Sequence, residues 1–198
     1  DIVTIMGGAH VSALPEESLQ DCPDIDCVVV GEGEESIKRI VSEKPKERIL
    51  VPGIMQDLNK LPSPARHLVD YGRYRSPEPA RGLVKTDAIE TSRGCPFHCA
   101  FCYHTHGRKV RFRDVTRVVD EIEESHKKVG AVLFNFFDDT FTLNKDRAVA
   151  ICDEIIKRDL GLMFYCFTRA DTLSKELLGR MKRAGFVRVT MGIESGNQ

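Results

Sequence analysis

The second half of the chain alternates short apolar runs with stretches of helical periodicity. Ala88 to Ser92 reads as a weak strand. Asp114 is an expected N-cap, followed by Val115, Val118, Val119 and Ile122 at helical spacing, with Gly130 closing the helix. Ala131 to Phe137 is a strongly apolar strand. Asn144 is then expected to cap a helix with Ala148, Ile151, Cys152, Ile155 and Ile156 on one face, closed by Gly161. Leu162 to Thr168 is the next strand. Ser174 caps a helix bearing Leu177, Leu178 and Met181, closed by Gly185, and Phe186 to Ile193 is the last strand. A β-α-β-α-β-α-β series predicts parallel strands with right-handed crossovers.

The first residues carry a different pattern. Ile2 to Met6 is a β-branched run that ends in Gly7-Gly8, and Pro15-Glu16-Glu17 opens a helix with proline and acids in its first turn. Cys27 to Val30 is fully apolar, as in a parallel strand covered on both faces. It runs into Gly31-Glu32-Gly33-Glu34 and a helix with Ile37, Ile40 and Val41 on one face. From about Glu43 to Val84 lie six of the nine prolines, which interrupt regular structure repeatedly. That stretch reads as a linker, wrapped on a surface by Ile49, Leu50, Val51, Leu61, Leu68, Val69 and Tyr71. The expected organisation is residues 1–46 as the end of one α/β domain, 47–84 as the linker and 85–198 as the second domain. The last series is half of an eight-fold barrel, whose usual size is about 250 residues. The chain therefore reads as a fragment truncated at both ends. Its open strand edge at Val187 to Ile193 is expected to favour association and to leave the piece inactive alone.

Composition narrows the picture only slightly. Of 198 residues, 41% are hydrophobic and 30% charged, which is ordinary for a globular protein. A formal net charge of −1 offers no bulk attraction for nucleic acid. No apolar run approaches the roughly 20 residues needed to span a bilayer, and no secretory leader is visible, so a cytoplasmic location is expected. A disulfide framework is not expected, and the cysteines outside 95–102 read as small buried hydrophobes.

The candidate chemistry lies in Arg93-Gly94-Cys95-Pro96-Phe97-His98-Cys99-Ala100-Phe101-Cys102, just past the first barrel strand. Barrel enzymes place their chemistry at that end of their strands. Three thiolates on one tight loop can each bind a different iron of a four-iron cluster, leaving the fourth iron open to a small molecule. Two alternatives remain. His98, His104 or His106 could complete a Cys₃His zinc site. A ferredoxin-like electron-transfer module would need a fourth cysteine, for which Cys152 and Cys166 are the downstream candidates. Asp138 and Asp139 directly follow the second strand and could accept from an ammonium group. Arg169 follows the third strand and could pair with a carboxylate or with Asp171. Glu194 lies after the fourth.

The Cys95-x3-Cys99-x2-Cys102 pattern, with Phe101 before the last cysteine, resembles the signature of the radical S-adenosylmethionine superfamily. The resemblance implies a [4Fe-4S] cluster on Cys95, Cys99 and Cys102. S-adenosylmethionine (SAM) would chelate its open iron and yield a 5′-deoxyadenosyl radical. Phe101 would meet the adenine, Asp138 or Asp139 would replace the family's Gly-Gly-Glu amine motif, Arg169 would take the methionine carboxylate, and Glu194 the ribose. Gly7-Gly8, Gly31-Glu32-Gly33 and the connector Leu61-Pro62-Ser63-Pro64-Ala65-Arg66 resemble the cobalamin-binding branch of the same family. The fold class implied is α/β: the C-terminal part of a cobalamin-binding Rossmann-like domain, then the first half of a radical SAM partial TIM barrel. In that branch Gly7, Gly8, Gly31, Glu32 and Gly33 would contact cobalamin. The axial-histidine motif would lie upstream, and His10 does not match it. The function implied is methyl transfer or oxidative cyclisation on a small-molecule substrate, with a reductant such as flavodoxin or ferredoxin.

Overall fold

A computed structural model describes residues 2–43 and 46–196. They divide into two compact units, Asp1–Gln56 with Gly94–Val110, and Asp57–Arg93 with Arg111–Gln198.

In the first unit, strands β1 (Ile5–Met6), β2 (Cys27–Val29) and β3 (Ile49–Leu50) form a parallel sheet in that order. Helices α1 (Ala9–Ala13), α2 (Pro15–Asp21) and α3 (Glu34–Glu43) connect them. Its small core is Cys27, Val29, Ile40 and Leu50. Helix α1, directly after Gly8, has no periodic sequence signal because it makes little more than one turn. The apolar face expected on α3 is only partly used: Ile40 is buried, whereas Ile37 and Val41 are 49% and 77% exposed. Cys22 also departs from expectation. It ends α2 and is exposed, while Cys27, Cys152 and Cys166 are buried as expected of packing residues.

The second unit begins in the proline-rich stretch, which is more ordered than its composition suggests. Strand β4 (Arg75–Glu78) forms an antiparallel hairpin with β5 (Gly82–Ile89). Pro77 is tolerated because β4 is an edge strand, with one side of its backbone unpaired. Several expected apolar anchors of this stretch are on the surface, including Val51, Leu68 and Val69. Leu50 is buried as expected, and Leu58, Arg66, Glu78 and Val84 are buried besides.

A short ladder of β6 (Ser92–Arg93) with β7 (Arg111–Phe112) precedes α4 (Val115–Val129). Then come β8 (Leu133–Phe136), α5 (Lys145–Arg158), β9 (Met163–Thr168), α6 (Lys175–Ala184) and β10 (Phe186–Met191). The five-stranded sheet has the order β10-β9-β8-β5-β4, with β5, β8, β9 and β10 mutually parallel. This is an α/β fold with a half-barrel sheet.

Alternation along β8 and β9 explains the layering. Phe134, Phe136, Phe164 and Cys166 face the helices, where Phe141, Phe186, Val118, Ile122, Ile151 and Met181 close the main core. Leu133, Met163 and Tyr165 face the other side with Val84. Burial on both faces is why these strands read as continuous apolar runs.

The helix ends are set locally, with two departures. Asn144 and Ser174 accept from Arg147 N and Leu177 N as capping side chains should. Asp114 occupies the cap of α4 without a side-chain bond, and its own N–H donates to Asn59 instead. Helix α5 stops at a left-handed Asp159, two residues before Gly161. Gly185 has φ +101°, and a Cβ there would press on the Leu162 carbonyl oxygen. Gly185→Ala should therefore cost about 1–3 kcal/mol of stability. Thermal unfolding checks this, and an unchanged midpoint would show that the α6–β10 turn can shift freely.

Candidate functional site

The cysteine segment belongs to the first unit. Gly94, at φ +92°, starts it, and a Cβ there would collide with the Lys109 carbonyl. Cys95 N donates to Gly107 O at 3.2 Å and Cys102 N to Cys99 O at 3.1 Å, so the segment folds back on itself in tight turns. His104 and Arg108 both meet the Phe97 carbonyl at 2.8 Å. Cys95 and Cys99 are half-buried and Cys102 is exposed. Phe101 is 73% exposed.

The donor set suits a cluster better than a single ion. In a cubane each thiolate holds its own iron, so the sulfurs need not converge on one point. Among the described residues no three His, Cys, Asp or Glu side chains are gathered as one metal ion would require. The ring of His104, a candidate zinc ligand, is engaged by a backbone carbonyl.

In the same unit, Tyr103 donates to Ser12 O at 2.7 Å, and Ser12 Oγ accepts from Gly31 N at 2.9 Å. These bonds tie the cysteine segment to α1 and to the Gly31 loop. Gly7, Gly8 and Gly33 are exposed, and nothing lies within 4 Å of a Cβ built at Gly8 or Gly33. Glu32 is buried, and its carboxylate accepts from Met55 N at 2.9 Å.

The polar candidates of the second unit follow the parallel strands. Asp138 and Asp139, adjacent in sequence, have opposite environments. Asp138 is 1% exposed and spends both oxygens on donors. Oδ1 accepts from Thr91 N at 2.6 Å and Ser92 N at 2.8 Å, and Oδ2 from Thr91 Oγ1 at 2.5 Å. Burial pushes its carboxyl up to about 6, against these donors and the charge of Arg147, which pull the other way. Asp139 is exposed. Beside the pair, the exposed rings of Phe137 and Phe167 lie 6.2 Å apart. Arg169 forms a two-pronged ion pair with Asp171 at 2.9 and 3.1 Å. Glu194 is exposed, with φ +60°, and its carboxylate folds back over Gly192.

Two residues absent from the expected set organise this edge. Arg147, on α5, donates to Thr91 Oγ1 and Thr91 O, both at 2.9 Å, and to Arg113 O at 2.8 Å. Its guanidinium lies 5.0 Å from the Phe112 ring centre. Arg113 donates to Glu90 O and to Glu121. The partners of Asp138 and Arg147 are 34 to 56 residues away in sequence, so no local pattern announces them.

Fold and site together define an α/β protein whose parallel strands carry polar side chains after their carboxyl ends, with a three-cysteine segment after the first of them. Residues 89–198 match the model of the radical SAM superfamily. The chain belongs to that superfamily. It is 34% identical to an uncharacterized methyltransferase of Pyrococcus horikoshii, over 100% of this chain and 46% of the relative. It is 30% identical to the anaerobic magnesium-protoporphyrin IX monomethyl ester cyclase of Rubrivivax gelatinosus, over 100% of this chain and 40% of that enzyme. The fold is shared with TsrM of Kitasatospora setae, a radical SAM methyltransferase solved with cobalamin and a [4Fe-4S] cluster bound. That match has a TM-score of 0.70 and 20% identity, over 98% of this chain and 42% of that one. The chain thus spans less than half the length of these relatives. No helix among the described residues is long and apolar enough to cross a membrane.

Proposed function

We propose that the full-length protein is a cobalamin-dependent radical SAM enzyme, acting as a methyltransferase or an oxidative cyclase on a small molecule. The observation that carries this reading is the three-cysteine turn, started by an obligatory Gly94, in a chain of this superfamily. Cys95, Cys99 and Cys102 hold the [4Fe-4S] cluster. When bound, that cluster supplies the electron that splits SAM into methionine and a 5′-deoxyadenosyl radical.

The remaining roles fall to this chain's own side chains. Phe101 presents an exposed ring for stacking on adenine. Of the acidic pair, Asp139 takes the methionine ammonium, because its carboxylate is exposed while that of Asp138 is already filled. Arg169 takes the methionine carboxylate, exchanging it for Asp171, whose ion pair is half exposed and weakly held. Glu194 accepts from the ribose hydroxyls. Residues 1–46 are the end of a Rossmann-like cobalamin domain, 47–84 its connector and 85–198 the first part of the barrel. Supporting this are the parallel pairing of β1 with β2, to which the connector adds β3, and the open space beside Gly8 and Gly33. Gly7, Gly8, Gly31 and Gly33 offer backbone approach to the nucleotide tail. Glu32 supports their loop from beneath through Met55. A flavodoxin or ferredoxin serves as reductant.

The zinc and electron-transfer readings have no observation in their favour. Burial pushes the thiols of Cys152 and Cys166 up to about 12, which suits packing and not ligation.

The test uses the full-length protein, reconstituted anaerobically with iron and sulfide, then given SAM and a reductant. Formation of 5′-deoxyadenosine is expected, and its absence from a protein with a full cluster overturns the assignment. Asp139→Asn should weaken SAM binding by about 1.5–3 kcal/mol, the range for a hydrogen bond to a charged group, with iron content unchanged. Equal affinity by equilibrium dialysis would remove Asp139 from the site.

A further inference from the structure

We infer that Asp138 is a positioning residue that, with Arg147, bolts together the two stems of the cysteine segment, and that it does not touch SAM. The inference rests on the reading that Cys95, Cys99 and Cys102 hold a cluster.

Residues 94–110 leave the second unit at Arg93 and re-enter it at Arg111. The outgoing stem is gripped by Asp138 through both backbone N–H groups of Thr91 and Ser92 and through the Thr91 hydroxyl. The returning stem is gripped by Arg147 through the Arg113 carbonyl, while the same guanidinium bonds Thr91 O and Thr91 Oγ1. Arg113 N also donates to Thr91 O at 2.9 Å, and the β6–β7 ladder pairs Ser92 with Phe112 and Arg93 with Arg111. A buried anion on the loop after β8 and a half-buried cation on α5 thus meet on one threonine between them.

The chemistry of the pair argues against a ligand role. A carboxylate that accepts three hydrogen bonds while 1% exposed has no oxygen turned to solvent for an incoming ammonium. To bind one, it would have to release Thr91 and Ser92, leaving buried donors unpaired. Three thiolates must reach three irons of one cubane, so an error at the stems displaces all of them together. Fixing both stems before the metal arrives is what preorganisation of a cluster site requires.

The experiment compares Asp138→Asn, Asp138→Ala and Asp139→Asn in the reconstituted full-length protein. Iron per chain, the reduced cluster's electron paramagnetic resonance spectrum and midpoint potential, and SAM affinity are read for each. An asparagine oxygen can still accept from Thr91 N and Ser92 N, so Asp138→Asn should keep SAM affinity and cluster spectrum near wild type. Asp138→Ala should lower iron content and displace the spectrum and potential of whatever cluster remains. Asp139→Asn should leave the cluster alone and weaken SAM by about tenfold or more. If Asp138→Ala fails to fold, Thr91→Val replaces it, and its cluster should show a displaced potential of smaller size. Loss of SAM affinity in Asp138→Asn with an unaltered cluster would make Asp138 a ligand and overturn the inference. An unaltered spectrum and potential in Asp138→Ala, or in Thr91→Val where it stands in, would reduce the network to fold stability and also overturn it. A wild-type protein that assembles no cluster would defeat the cluster reading itself.

Discussion

Cys95→Ser, Cys99→Ser and Cys102→Ser should each abolish the brown iron–sulfur chromophore of the anaerobically reconstituted full-length protein. Each thiolate holds its own iron, so none can substitute for another, and a serine oxygen is a harder, poorer ligand for iron in a sulfide cluster. The effect is all-or-none in iron content, not a graded loss of affinity. Cys152→Ser and Cys166→Ser should keep the colour. Both side chains lie in the main core, with thiols that burial pushes up to about 12. In the wild type, adding SAM should alter the reduced cluster's electron paramagnetic resonance signal. Stoichiometric zinc without iron, or loss of the cluster on replacing Cys152 or Cys166, would sink the assignment.

Arg66→Met should destabilise the second unit by about 3–5 kcal/mol, the range for removing one partner of a buried ion pair. Arg66 is 8% exposed. Its Nε donates to Asp87 at 2.5 Å and its terminal nitrogen to Glu121 at 2.7 Å. Asp87 also accepts from Tyr71 and Ser125, and Glu121 from Arg113. Methionine roughly keeps the volume but leaves Asp87 without its cation and Glu121 with Arg113 alone, and uncompensated buried charge is the costly term. Native-state hydrogen exchange of amides in β5 and α4 of the full-length protein measures it. A loss below about 1 kcal/mol, as for an exposed pair, would show that water enters the network.

The same residue shows where sequence reasoning runs out. Arg66 closes the Leu61–Arg66 stretch, which the prolines mark as a connector, and nothing nearby identifies it as a buried ion-pair centre. Its partners are 21 and 55 residues distant. The hairpin of β4 and β5 escaped for a related reason. Gly82 to Asp87 is polar and mixed in pattern, and it becomes a strand because β4 and β8 pair with it on either side.

What the sequence determined alone was whatever depends on near neighbours. The apolar runs of β8 and β9, the caps at Asn144 and Ser174, the glycine closures at Gly130 and Gly185, and the cysteine spacing with Phe101 each express their physics within a few residues. Tertiary structure decided what depends on burial. Asp138 and Asp139 are the same residue type side by side, and only the fold distinguishes them. It removes water from one and surrounds it with Thr91, Ser92 and Arg147, while it leaves the other in solvent. A carboxylate's role follows from which donors reach it and how much water it keeps. The donors to Asp138 come from 46 to 47 residues away, a distance at which a linear pattern carries no signal.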